Sequence, residues 1–172
     1  MGYLEPEVIA STELQMVEGA TSWHLGILTS VMHMAWTAVV CGRLKSDYRY
    51  SNQLVYNNFP WPTNLNPKHQ SAVTAAAEAV LAARAPFLPP HGTSTLADLY
   101  DPLTMPAPLA KAHATLDRAV DRCYRPEPFK SDRERVEHLF ALYETLTAPL
   151  LPTSPTAAKR SRKKMADVDG GA

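Results

Sequence analysis

Three ionisable side chains, Lys45, Asp47 and Arg49, stand at every second position of the segment Gly42-Arg43-Leu44-Lys45-Ser46-Asp47-Tyr48-Arg49-Tyr50-Ser51. In a β-strand, residues two apart project from one face, so these three would form an all-charge face while Leu44, Ser46, Tyr48 and Tyr50 form the other. A donor-only lysine beside an acceptor-only aspartate is the complement of a G·C pair in the major groove. There guanine offers O6 and N7 as acceptors and cytosine offers its amino group as a donor. Arg49 would reach a neighbouring base or its phosphate. The competing explanation is a solvated strand face with mild cross-strand charge pairing, and the residue types in this segment leave both open.

The neighbouring elements must hold that strand, expected over Arg43 to Tyr50. A helix is predicted from about His24 to Cys41, with Ile27, Leu28, Val31, Met34, Ala35, Ala38 and Val39 at three- and four-residue spacing and Gly42 placed to end it. His33 and Trp36 on that helix either contact DNA or pack inward. Val8 to Val17 reads as one or two short strands closed by a Glu18-Gly19 turn. After a turn at Ser51-Asn52, Leu54-Val55-Tyr56 is the expected partner strand. In the run Asn57-Asn58-Phe59-Pro60-Trp61-Pro62, each proline fixes its own φ and pushes the preceding residue out of the helical region. Phe59 and Trp61 therefore sit in a stiff extended segment that either buttresses the strand or caps the core. Arg43, Tyr48, Tyr50, Asn57 and Asn58 complete the candidate site as backbone-contacting or supporting residues.

The rest of the chain is predicted helical. Asn66-Pro67 supplies a cap and a first-turn proline for a helix to about Arg84, with Val73, Ala76, Ala77, Val80 and Leu81 as its apolar stripe. A break at Pro86 to Gly92 precedes a short turn at Leu96 to Tyr100. A longer helix from about Pro108 to Tyr124 points Leu109, Ala112, Leu116, Val120 and Cys123 inward. Ser131-Asp132-Arg133-Glu134 has the form of a capping box and opens a helix carrying Val136, Leu139, Phe140, Tyr143 and Leu146. Three amphipathic helices of this size form a small bundle. Beyond Pro149 the chain is rich in Pro, Ser, Thr and Ala and carries the basic run Lys159-Arg160-Ser161-Arg162-Lys163-Lys164 before an Asp-Gly finish, a tail expected to be disordered. The fold class is thus α+β, mostly α: a helix with a few strands over 1–64, a helical unit over 65–149 and a basic tail over 150–172.

Other constellations carry less chemistry. The 172 residues hold 17 Lys and Arg against 17 Asp and Glu, a net charge of zero that argues against tight nonspecific DNA binding by the chain as a whole. Positive charge is instead local to Arg43, Lys45 and Arg49 within the first 62 residues. Cys41 and Cys123 lack metal or redox spacing and read as buried thiols. His24 and His33 are too far apart for a paired helical metal site. Asp98, Asp101, Asp117 and Asp121, with Arg118 and Arg122, read as helix-surface ion pairs and contacts between units. Glu5, Glu7 and Glu13 do not suit a signal peptide, and no stretch reaches the ~18 to 20 apolar residues of a membrane span, so a cytoplasmic protein is expected.

The run from Ile9 to Pro62 resembles the end of the target recognition domain of MmeI-like enzymes, the type IIL restriction-modification proteins. The resemblance rests on Ile9-Ala10-Ser11, Gly26-Ile27-Leu28-Thr29-Ser30, Met32-His33-Met34-Ala35-Trp36, Gly42-Arg43-Leu44, Tyr48-Arg49-Tyr50-Ser51 and the Asn-Asn-Phe-Pro-Trp-Pro block. It continues through Leu96 to Pro106, Leu116 to Asp121 and Phe129 to Asp132, which look like the family's C-terminal helical domain. The resemblance implies double-stranded DNA as partner. It also implies that the positions matching Lys45 and Asp47 form a coupled pair reading one base pair, the order of charges setting its orientation.

A full enzyme of that family also carries an endonuclease and an adenine-N6 methyltransferase. Here Pro89-Pro90 lacks the amide or carboxylate before it and the aromatic after it, Gly26, Gly42 and Gly92 stand alone, and no carboxylate-plus-lysine nuclease motif occurs. S-adenosylmethionine and Mg2+ are implied only for catalytic domains outside this chain. The sequence therefore predicts either a non-catalytic DNA-reading module with its structural C-terminal domain, or a structural or interaction protein without autonomous DNA binding.

Overall fold

The computed structural model describes residues 1–148 apart from 5–6, 12–13, 46 and 64. The expected basic tail lies outside the described residues. The chain is mostly helical, in the order α1 (Ser22–Thr29), α2 (Val31–Val40), β1 (Gly42–Leu44), β2 (Asp47–Arg49), a π-helical turn (Asn52–Tyr56), α3 (Pro67–Arg84), α4 (Leu96–Leu99), α5 (Ala107–Tyr124) and α6 (Asp132–Thr147). β1 and β2 form one antiparallel pair.

The long helices start where their caps place them. Asn66 Oδ1 accepts from the Lys68 amide at 2.9 Å, and Pro67 occupies the first turn of α3, where its missing N–H costs no hydrogen bond. The buried stripe Val73, Ala76, Ala77 and Val80 then meets Leu109, Leu116 and Val120 of α5. α1 lies on this pair through Gly26. A Cβ there would stand 2.8 Å from Val73 Cγ1, 3.2 Å from Ala77 Cβ and 3.3 Å from Leu116 Cδ1, so glycine sets how closely α1 can approach.

The predicted single helix from His24 to Cys41 is two. Ser30 adopts ψ 159° between them, its hydroxyl donating to the Ile27 carbonyl at 2.7 Å and accepting from the His33 amide at 3.4 Å. One serine thus helps end α1 and cap α2. The α2 N-terminus gains a second acceptor from across the fold, since Asp117 Oδ1 of α5 accepts from the Val31 amide at 2.8 Å. A carboxylate there satisfies an orphan donor and faces the positive end of the helix dipole. Asp121 holds Arg135 of α6 through contacts of 3.1 and 2.7 Å. Both aspartates therefore join elements, as the charge pattern of α5 suggested.

The bundle is assembled differently from the expected packing of three C-terminal helices. α6 packs chiefly on α2, where the Trp36 ring lies 5.1 Å from Phe140 and 6.0 Å from Tyr143 between centroids. One apolar core consequently runs from Trp23, Ile27, Trp36 and Phe59 to Val73, Leu116 and Leu139. The box at Ser131 is half formed. Ser131 Oγ accepts from the Glu134 amide at 3.3 Å, but the Glu134 carboxylate accepts from the Lys130 amide, at 2.7 Å, and pairs with Arg125 at 2.9 Å. The short strands expected over Val8 to Val17 are absent among the described residues, although Gly19 does make the expected turn, at φ 66°.

Candidate nucleic-acid interface

The segment predicted as one strand folds back on itself. Gly42 pairs with Arg49, Arg43 with Tyr48 and Leu44 with Asp47, which puts Lys45 beyond the last pair, at the tip. A lone strand would leave its ladder groups without protein partners, and the expected partner at 54–56 is engaged elsewhere. Val55 is buried within the π-helical turn, and its carbonyl accepts from Trp36 Nε1 at 3.1 Å. Lys45 has φ 57°, the left-handed conformation that two-residue hairpin turns use because it matches the twist of the strands.

This register redistributes the side chains. Opposed residues of a ladder share a face, so Asp47 and Arg49 stay together as expected, and Leu44 joins them. Lys45 is at the tip rather than within a strand, so alternation no longer places it on that face. Arg43 and Tyr48 share the opposite face, with the guanidinium carbon 4.4 Å from the ring centroid. Opposite Arg49 stands Gly42, whose Cβ position has no atom of the described residues within 4 Å. All residues of both strands are exposed, and among the described residues no ion pair engages Lys45, Asp47 or Arg49.

The ribbon is tied down at its base. The Tyr50 hydroxyl and His33 Nε2 are hydrogen-bonded at 3.0 Å, and His33, 1% exposed, packs edge-on against Phe59. Burial lowers the His33 pKa to about 4 and, with Tyr56 and Cys41, raises that of Tyr50 to about 12. His33 and Trp36 are thus packed residues, the inward alternative of the two. Asn58 Nδ2 donates to the Gln53 and Leu54 carbonyls at 2.7 and 3.2 Å, and the Asn57 amide donates to the Asn52 carbonyl at 2.8 Å. Both asparagines shape the turn behind the hairpin. Phe59 and Pro60 are buried, and Tyr124 donates to the Pro60 carbonyl at 3.2 Å, so this extended run closes the core under the ribbon.

Sequence reasoning puts Leu44 on the opposite strand face, gives Gly42 only a helix-ending role and leaves His33 between DNA contact and packing. A fold-back between residues 44 and 47 would have exposed the first two, but the usual Asn-Gly or Asp-Gly turn signal is missing. Among the described residues no group of three or more His, Cys, Asp or Glu is placed to hold a metal ion, and no helix is long and apolar enough to cross a membrane.

Residues 1–63 match the family described as MmeI, target recognition domain, and residues 65–151 match MmeI, C-terminal domain. The chain belongs to the MmeI family. It is 42% identical over 147 residues to DNA methyltransferase A of Bacillus subtilis (strain 168), covering 86% of this chain and 16% of that protein. It also resembles the type IIL restriction-modification enzyme MmeI solved in complex with DNA, at 44% identity and a TM-score of 0.69 over 76% of this chain and 17% of that one.

Proposed function

We propose that this chain is the DNA sequence-recognition and C-terminal structural module of a type IIL-like DNA methyltransferase and restriction endonuclease. The observation that carries this reading is the β1–β2 ribbon, exposed on both faces, with Lys45, Asp47 and Arg49 outside any ion pair among the described residues. A two-stranded ribbon fits the major groove, where base pairs are distinguished by their donors and acceptors. Lys45 at the tip donates to guanine O6 or N7, Asp47 accepts from the amino group of the paired cytosine, and Arg49 reaches a neighbouring base or phosphate over the bare Gly42. Tyr50, His33 and the 57–60 run hold the ribbon on the core.

Methyl transfer and cleavage, with S-adenosylmethionine and Mg2+, belong to other parts of the parent enzyme. The isolated chain is accordingly expected to transfer no labelled methyl group to duplex DNA. Val8, Ile9, Leu14 and Met16 are exposed, Ile9 at 96%, and such side chains favour association. Selection of duplexes from a randomised pool by the purified chain tests the recognition reading. A fixed G·C pair is expected, and recovery without sequence preference contradicts it.

A further inference from the structure

We infer that Leu44 is a second specificity residue of the ribbon, making apolar contact with the 5-methyl group of a thymine next to the base pair read by Lys45 and Asp47. The inference rests on the base-reading proposal and extends it to a neighbouring base. Three observations lead to it. Leu44 pairs directly with Asp47, which puts both on one face with their Cβ atoms about 5 Å apart. Leu44 is 64% exposed, at the end of a strand that is exposed along its whole length, so no apolar core lies behind it. The rest of that face is Asp47, Arg49 and the side-chain-free Gly42.

A leucine on a solvated two-stranded ribbon gains little from folding. Beside a carboxylate suited to the cytosine amino group, its exposed methyl groups would be offered to a neighbouring base pair. Thymine is the base with an apolar group on that edge, whereas cytosine there offers only an amino donor. Neither Asp47 nor Lys45 can discriminate by that methyl, since both act through hydrogen bonds.

Uracil isolates the methyl group, because it keeps every hydrogen-bonding atom of thymine. Duplexes selected by the chain are remade with uracil in place of one thymine at a time and compared by competition binding. At one thymine adjoining the fixed G·C pair, uracil should weaken binding by about fourfold, as expected for one buried methyl at about 0.8 kcal/mol. Leu44→Ser should bind the thymine and uracil duplexes equally while keeping the G·C preference and the thermal unfolding midpoint of the parent chain. A fixed G·C pair with equal binding of uracil and thymine at every position would overturn the Leu44 assignment and leave base reading intact. Selection with no preferred base overturns both.

Discussion

Replacing His33 with glutamine should flatten the pH dependence of stability between pH 7 and pH 5. His33 is 1% exposed, its Nδ1 has no hydrogen-bond partner among the described residues, and burial lowers its pKa from 6.5 to about 4. A depressed folded-state value means that the unfolded chain takes up the proton first. Stability is therefore fully present above about pH 6.5 and is lost progressively as pH falls toward about 4. At pH 5 the unfolded imidazole is charged and the folded one neutral, a difference of about 2 kcal/mol relative to pH 7. The glutamine side chain would keep a polar group near the Tyr50 hydroxyl but cannot titrate. Urea unfolding of both proteins at the two pH values measures the effect, and the comparison cancels every other titrating group. The parent chain should lose about 2 kcal/mol more than His33→Gln on going to pH 5. Equal losses would mean that the imidazole under the ribbon is accessible to protons in the folded state, refuting the tight His33, Tyr50 and Phe59 junction.

Two further substitutions test how the N-terminal helices are joined to the rest. Gly26→Ala should destabilise the fold by about 1 kcal/mol, because overpacking against Val73, Ala77 and Leu116 outweighs the gain in helix propensity. A rise in the denaturant midpoint would show that α1 has room to spare. Asp117→Ala should cost about 1 to 2 kcal/mol by leaving the Val31 amide without its acceptor, and Asp117→Asn should cost less because an amide oxygen can still accept. Equal midpoints for the two variants would remove that hydrogen bond from the account.

Elements with local instructions were legible in the sequence. Asn66-Pro67 specifies the start of α3 through a side-chain acceptor and a fixed φ, and the spacing of Leu109, Leu116 and Val120 gives the buried face of α5. Ser131 was readable as a cap, but the destination of the Glu134 carboxylate was not, since Arg125 and the Lys130 amide reach it only in the folded chain. The break at Ser30 was visible in principle, because serine is a strong capping residue. It was hidden by an apolar period that continues on both sides. Leu54 to Tyr56 looked like a strand from composition, yet the bond from Trp36 to the Val55 carbonyl belongs to a tertiary contact that no local pattern encodes.

The candidate site was legible by residue type more than by geometry. Alternation correctly joined Asp47 to Arg49, because period two holds in a short strand as in a long one. It cannot distinguish one eight-residue strand from a hairpin that lacks an Asn-Gly or Asp-Gly signal in the sequence. Alternation accordingly places Lys45 on a strand face when it occupies the tip, and separates Leu44 from the face it shares with Asp47 and Arg49.

The most direct measurement is the recognition sequence of a full-length active relative carrying this ribbon, read from its methylated sites before and after Lys45→Glu with Asp47→Arg. Reversing the order of the two charges reverses the donor and acceptor offered to one base pair. Each correct contact discriminates by about 1 to 3 kcal/mol, and a carboxylate facing guanine O6 is repelled. G should be exchanged for C at one position with all others unchanged. An unaltered site, or one relaxed at every position together, would make Lys45 and Asp47 a solvated pair and contradict base reading by the ribbon.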